Sequence, residues 1–154
     1  MTRLNNANLD RLGCEVATPG YARGAVTPGI VHIGVGGFHR AHQAMYLDTL
    51  MQRGEALDWG IIGVGVMPGD RRMQQSLAAQ DHLYTLVVKH PDGSLEPRVI
   101  GSMIDHRFAP DDPEAVIEAM ADPAIRIVSL TVTEGGYNIH PASGEFNLDD
   151  PDVC

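Results

Sequence analysis

The stretch I-V-H-I-G-V-G-G-F-H-R, residues 30–40, decides how this chain is read. Its opening residues are apolar and β-branched apart from His32, it halts at Gly34, Gly36 and Gly37, and a helix-compatible segment follows. That is the strand, tight turn and helix start of a nucleotide-binding βα unit. Gly34 allows the sharp turn. Gly36 lets a pyrophosphate approach bare backbone at a helix N-terminus, where unpaired N–H groups and the helix dipole favour an anion. The alternative is a mere loop between strand and helix, and three glycines placed there weigh against it. In the fingerprint G-x-G-x-x-G the third glycine should fall at position 39, where this chain carries His39.

Working outward, the lack of polar alternation over 30–35 predicts a strand covered on both faces, as in parallel sheets, with His32 a satisfied core histidine. A helix is predicted over 38–53, closed by Arg53-Gly54. W-G-I-I-G-V-G-V (59–66) reads as a second buried strand, and P-G-D (68–70) breaks the chain before a helix over 70–79. Strand, helix, strand, helix is the order of a right-handed parallel crossover. L-Y-T-L-V-V-K (83–89) and residues 96–100 flank the turn sequence P-D-G-S, which predicts a hairpin. Asp112-Pro113-Glu114 supplies a cap, a first-turn proline and an acid for a helix over 113–120. I-R-I-V-S-L-T-V (125–132) then reads as a third buried strand, whose end delivers T-E-G-G-Y (133–137). Ligands of open parallel sheets bind beyond the carboxyl ends of the strands, so Thr133 and Glu134 are candidates for the nicotinamide side of a crevice shared with the glycine turn, the alternative being that they simply cap the next turn. The fold class is α/β: a Rossmann-type, mostly parallel sheet with helices on both faces and a β-hairpin excursion, over 30–154, after an irregular leader over 1–29.

The bulk properties narrow the partners. With 154 residues and 44% hydrophobic side chains, the chain can bury one ordinary core. Eleven basic against twenty acidic side chains give a formal charge of −9, which argues against nucleic acid. Two cysteines, Cys14 and Cys154, form neither a disulfide framework nor a C-x-x-C metal pair, so a reducing cytoplasm is expected. No apolar signal region and no run of about 18 apolar residues occurs, so neither export nor a membrane span is expected.

A dinucleotide site also needs an acid to accept hydrogen bonds from the adenosine ribose, roughly 20 residues after the glycines. Counting alone nominates Glu55, but that residue precedes the second strand and lies at the wrong edge of the sheet. Asp70 follows the carboxyl end of that strand and is the choice. Arg71 and Arg72 can accept a 2′-phosphate that Asp70 would repel, and the balance favours NAD over NADP. Arg40 is placed to meet either a phosphate or an acid across the sheet. His39 and His42 have a spacing that can suit a metal, but no third ligand stands nearby, and no metal is expected.

H-I-G-V-G-G-F-H-R-A-H-Q-A (32–44), D-W-G-I-I-G-V-G (58–65) and I-R-I-V-S-L-T-V-T-E-G-G-Y (125–137) resemble the long-chain mannitol dehydrogenase family, the polyol-specific long-chain dehydrogenases and related sugar-acid reductases. The resemblance covers nearly the whole chain, including N-L-x-x-L in the leader. G-x-G-x-F-x-R-A-H is similar to the family's own form of the fingerprint, which brings in Phe38 and accounts for His39. The resemblance implies NAD(P)-dependent, zinc-independent oxidation of a secondary alcohol of a polyol, or reduction of the matching keto-sugar. It further implies an N-terminal Rossmann-type domain and a mostly helical second domain carrying the lysine base. Lys89, the sole lysine, lies in a predicted strand of the wrong segment, so the chain is expected to be the cofactor-binding half, inactive alone. The E-G-G-Y motif and the leader favour the members that interconvert mannitol and fructose; fructuronate reductases and a non-catalytic nucleotide-binding remnant are the alternatives. The cofactor set is Gly34, Gly36, Gly37, Phe38, His39, Arg40, Asp70, Arg71, Thr133 and Glu134, with no catalytic residue and no metal.

Overall fold

The computed structural model describes residues 3–12, 16–132, 134–151 and 153. Its centre is β1 (Pro28–Ile33) beside β2 (Gly60–Gly65), paired in parallel with Ile30 opposite Ile61 and Val31 opposite Ile62. Every residue of β2 is buried. Because side chains alternate across a strand, Ile30 and Ile61 face one layer and Val31, Ile62 and Val64 the other. The first layer closes on Ala44 of α2 (Gln43–Gln52) and Leu77 of α3 (Arg71–Ala78). The second closes on Val116 of α4 (Pro113–Ala121), a helix opened as expected by Pro113 and by the Asp112 carboxylate, which accepts from the Ala115 N–H at 3.0 Å. Helices thus cover both faces. Fully buried side chains such as Ile61, Val31 and Val64 each contribute about 1.5–3 kcal/mol on leaving water.

The hairpin is formed by β3 (Tyr84–Lys89) and β4 (Leu95–Ile100), antiparallel and outside the main sheet. Its turn uses Gly93 at φ +86°, while the Asp92 carboxylate accepts from the Ser94 N–H. The main sheet runs in the order β5-β2-β1-β6, all parallel, where β5 is Met103–Phe108 and β6 is Ile127–Leu130.

Three features depart from the sequence reading. The edge strand β5 was not anticipated: M-I-D-H-R-F carries three polar residues in a row, and pairing with β2 rather than hydrophobic pattern makes it a strand. The strand expected to be deeply buried, β6, is exposed, with Ile127 at 43% and Leu130 at 60%, because among the described residues no helix packs on it as α3 and α4 do on the opposite edge strand β5. The single helix expected over 38–53 is two, α1 (Gly37–Ala41) and α2, broken at His42. There the Phe38 carbonyl is shared between the His42 N–H at 3.0 Å and its ring Nδ1 at 2.8 Å.

Leader residues are tied into the body of the domain. On α2, fully buried Asp48 accepts from the Tyr21 hydroxyl at 2.7 Å, the Gly101 N–H at 2.9 Å and the Arg98 guanidinium at 2.9 Å. The Arg23 guanidinium donates to the carbonyls of Gly101, Met103 and Asp81. Among the described residues no helix is long and apolar enough to cross a membrane.

Candidate functional site

The glycine turn leaves β1 through Gly34, whose N–H donates to the Val64 carbonyl at 2.9 Å and whose φ of +89° is left-handed and favours glycine. Gly36 is extended and α1 begins at Gly37, so the N–H groups of Gly37 and Phe38 have no intrahelical acceptor. A Cβ built on Gly34, Gly36 or Gly37 would meet nothing within 4 Å. The chain leaves open space in front of this bare backbone, and that space is a cleft of about 710 Å³. Arg40, Asp70, Arg72, Ser76 and Thr131 line it together with the glycines.

Asp70 closes a short 3-10 turn, Pro68–Asp70, at the carboxyl end of β2. Its Oδ2 accepts from the N–H groups of Val66 and Met67, both at 3.0 Å, which fixes the carboxylate; among the described residues Oδ1 has no partner. Glu55 lies in the turn between α2 and β2, at the amino end of β2 and outside the cleft. Arg71 and Arg72 diverge. The Arg71 guanidinium pairs with Asp111 through two hydrogen bonds and stacks 4.2 Å from the Phe108 ring, so it does not line the cleft. Arg72, one residue along the helix, does, and no ion pair holds it among the described residues. Among the described residues Arg40 meets no acid across the sheet; its Nε donates to the Gly36 carbonyl at 3.3 Å, and it sits 5.7 Å from the Tyr84 ring.

The other nominated residues separate. Phe38 is exposed and stacks on His42 at 4.3 Å, while His39 turns inward and stacks on His32 at 3.7 Å with the rings 11° from parallel, so His39 and His42 do not converge. His32 is the satisfied core histidine expected, its nitrogens meeting the Ser129 hydroxyl at 2.9 Å and the Thr131 hydroxyl at 3.1 Å. Burial, reinforced by neighbouring His32, pushes the His39 imidazole down to about 4, and burial also lowers His32. Both rings are therefore neutral at ordinary pH. Beside them a second cleft of about 670 Å³ is lined by Gln43, Ser129 and Tyr137; Thr131 lines both clefts. Thr133 lies outside the described residues, and Glu134 opens a 3-10 turn, Glu134–Tyr137, directly after β6.

Gln43, Ser129 and Thr131 escaped the sequence reading. The signal for the last two was present: they alternate in an otherwise apolar strand, and the parallel register sets Ser129 opposite His32. Chemically, the first cleft offers open amides for an anion, a fixed carboxylate for a sugar hydroxyl and two guanidinium groups. A Cβ-free wall facing open space fits a pyrophosphate-containing dinucleotide.

Comparison with known proteins agrees with this architecture. Residues 28–149 match the family described as mannitol dehydrogenase Rossmann domain. Mannitol 2-dehydrogenase of Cereibacter sphaeroides is 56% identical over 139 residues, which are 90% of this chain and 29% of that protein. The enzyme of the same name from Neosartorya fischeri is 50% identical over 156 residues, covering 98% of this chain and 31% of that protein. Among solved structures, Pseudomonas fluorescens mannitol 2-dehydrogenase in ternary complex with NAD and D-mannitol superposes with a TM-score of 0.88 at 51% identity, over 97% of this chain and 30% of that one. D-sorbitol dehydrogenase in substrate-free form gives 0.84 at 41% identity, over 97% and 31%. The chain spans about 30% of the length of these relatives. With a glycine turn departing from the general fingerprint at His39, a four-stranded parallel sheet covered by helices on both faces, and this match over most of its length, the chain belongs to the mannitol dehydrogenase Rossmann-domain family.

Proposed function

We propose that this chain is the NAD-binding part of a polyol oxidoreductase of the mannitol 2-dehydrogenase type. The observation that carries the reading is the pairing, in one cleft, of open Gly36–Gly37 backbone with an Asp70 carboxylate held by two backbone amides and unpartnered at Oδ1. In this reading Asp70 accepts from the adenosine ribose, the pyrophosphate lies on the glycine turn with Arg40 as countercharge, and the nicotinamide extends past Thr131 toward the segment at Glu134. NAD is preferred over NADP because Asp70 repels a 2′-phosphate, and of the two neighbouring arginines only Arg72 faces the cleft to offset that repulsion.

When bound, the nicotinamide accepts or supplies the hydride exchanged with a secondary alcohol carbon. The chain's own residues bind and orient the dinucleotide. The substrate assignment, a polyol such as D-mannitol or its keto-sugar, rests on the named relatives and on the solved complex with D-mannitol. Lys89, the one lysine, lies on the hairpin and does not line the cleft, so no proton-transfer group is assigned here.

The test is titration of the purified chain with NADH and NADPH, read by the coenzyme's own fluorescence. Trp59 is a poor reporter, since it stacks against Arg126 at the amino end of β2, opposite the cleft. NADH is expected to bind more tightly, and Asp70→Ala to narrow or reverse the preference. An unchanged preference in that variant would remove Asp70 from its role, and fructose reduction by the chain alone, well above blank, would refute the division of labour.

A further inference from the structure

His39 occupies the position of the fingerprint's third glycine, whose usual service is close helix–strand packing. Here two rings make that contact instead: His39 of α1 lies flat on His32 of β1 at 3.7 Å. His32 is in turn fixed to β6 by Ser129 and Thr131. The result is a continuous path from β6, through β1, to the first turn of α1, whose Gly37 and Arg40 line the glycine cleft. His39 itself is only 2% exposed and lies outside the lining of that cleft. A side chain so placed acts on the cleft only through what it packs against.

We propose that His39, held flat against His32, is a positioning residue of the cofactor site: the stack sets the height of the α1 first turn over β1, and with it the aim of the Gly37 and Phe38 N–H groups at a pyrophosphate. The proposal rests on the reading that the glycine turn holds NAD. The charged and titratable groups that face the ring are His32 from β1 and Arg40 from its own helix; α2 presents the neutral amide of Gln43, and β6 presents only hydroxyls.

The experiment is calorimetric titration of the whole chain with NAD at neutral pH. An aromatic pair of this kind corresponds to about two- to tenfold in an equilibrium constant. His39→Ala is expected to bind NAD up to about tenfold more weakly at neutral pH. His39→Phe, which restores a stacked ring, is expected to recover wild-type affinity. His39→Phe binding as poorly as His39→Ala would overturn the proposal. If His39→Ala fails to fold by circular dichroism, Ser129→Ala decides, since it loosens His32 without touching α1 or the glycine cleft; it should weaken NAD binding about two- to threefold, and an unchanged affinity overturns the stack's role. Wild type failing to bind NAD would overturn the dinucleotide reading and this proposal together, whereas tight wild-type binding with unaltered His39→Ala would overturn this proposal alone.

Discussion

Asp48 is the side chain on which the joint between leader, helix and hairpin depends. It is fully buried and accepts three hydrogen bonds, one from Tyr21 in the leader, one from Arg98 of β4 and one from the Gly101 amide before β5. Asp48→Ala leaves a neutral hydroxyl and a backbone amide without an acceptor, at about 1–3 kcal/mol each, and strands a guanidinium that was part of a mostly buried ion pair. These losses overlap, and Arg98 is still about one-fifth exposed and can swing toward water, so the expected cost is about 3–5 kcal/mol. Domains of this size have total stabilities of about 5–15 kcal/mol, so the variant should be marginal. Tyr21→Phe removes one donor and leaves the ion pair intact, and should cost about 1 kcal/mol. The assay is urea unfolding followed by far-ultraviolet circular dichroism, comparing midpoints at constant slope. Asp48→Ala within about 1 kcal/mol of wild type, or no worse than Tyr21→Phe, would show that the three bonds do not act as a joint.

Two further outcomes follow from the same core. Burial first, then the hydrogen bond and charge of Asp48, raise the Tyr21 phenol far above its ordinary value, and burial raises Tyr84 likewise. Phenols that stay protonated in the fold give stability that is fully present below the unfolded value of about 10 and lost as pH rises above it. In moderately alkaline solution Tyr21→Phe should therefore show the same tyrosinate absorbance as wild type while both remain folded; a lower absorbance in the variant would refute the shift. Gly65→Ala would set a Cβ 2.9 Å from that of Asp70 and 3.3 Å from the rings of His106 and Phe108, and should cost about 1–3 kcal/mol. Gly69→Ala meets nothing within 4 Å and should leave the thermal midpoint nearly unmoved, so equal effects of the two alanines would contradict the packing around Asp70.

What could be read in advance, and what could not, divides along the range of the interaction. The glycine turn, the Asp112 cap and the P-D-G-S turn are local: each residue type answers a need within a few positions of itself, and each was visible. The strand β5 was not, because its His106 is accommodated by the missing side chains of Gly63 and Gly65 on the neighbouring strand, and Arg107 pairs with Asp105 at 2.8 Å. Nothing within M-I-D-H-R-F announces the glycines that make room for His106. Arg71 and Arg72 could not be told apart before the start of α3 was fixed, since one residue of helical phase sends one guanidinium to Asp111 and the other to the cleft. The partners of His32 required the register of β1 with β6, and so did recognition that His39 is part of a stack.

The strand order has a consequence in time as well as in space. β1 is central, yet one of its two neighbours, β6, is made last: His32 and Ser129 are 97 residues apart, whereas His90 and Glu96 across the hairpin turn are separated by six. Chain-closure entropy alone makes the longer contact about 2.5 kcal/mol harder to form. The hairpin and the β1–β2 crossover can therefore assemble while the distal wall of the cleft is still unformed, and Thr131 arrives only when β6 docks. Such long-range closure belongs among the slow steps of folding. A dinucleotide that needs both walls cannot serve as a template for the early stages; it can only hold the finished sheet together.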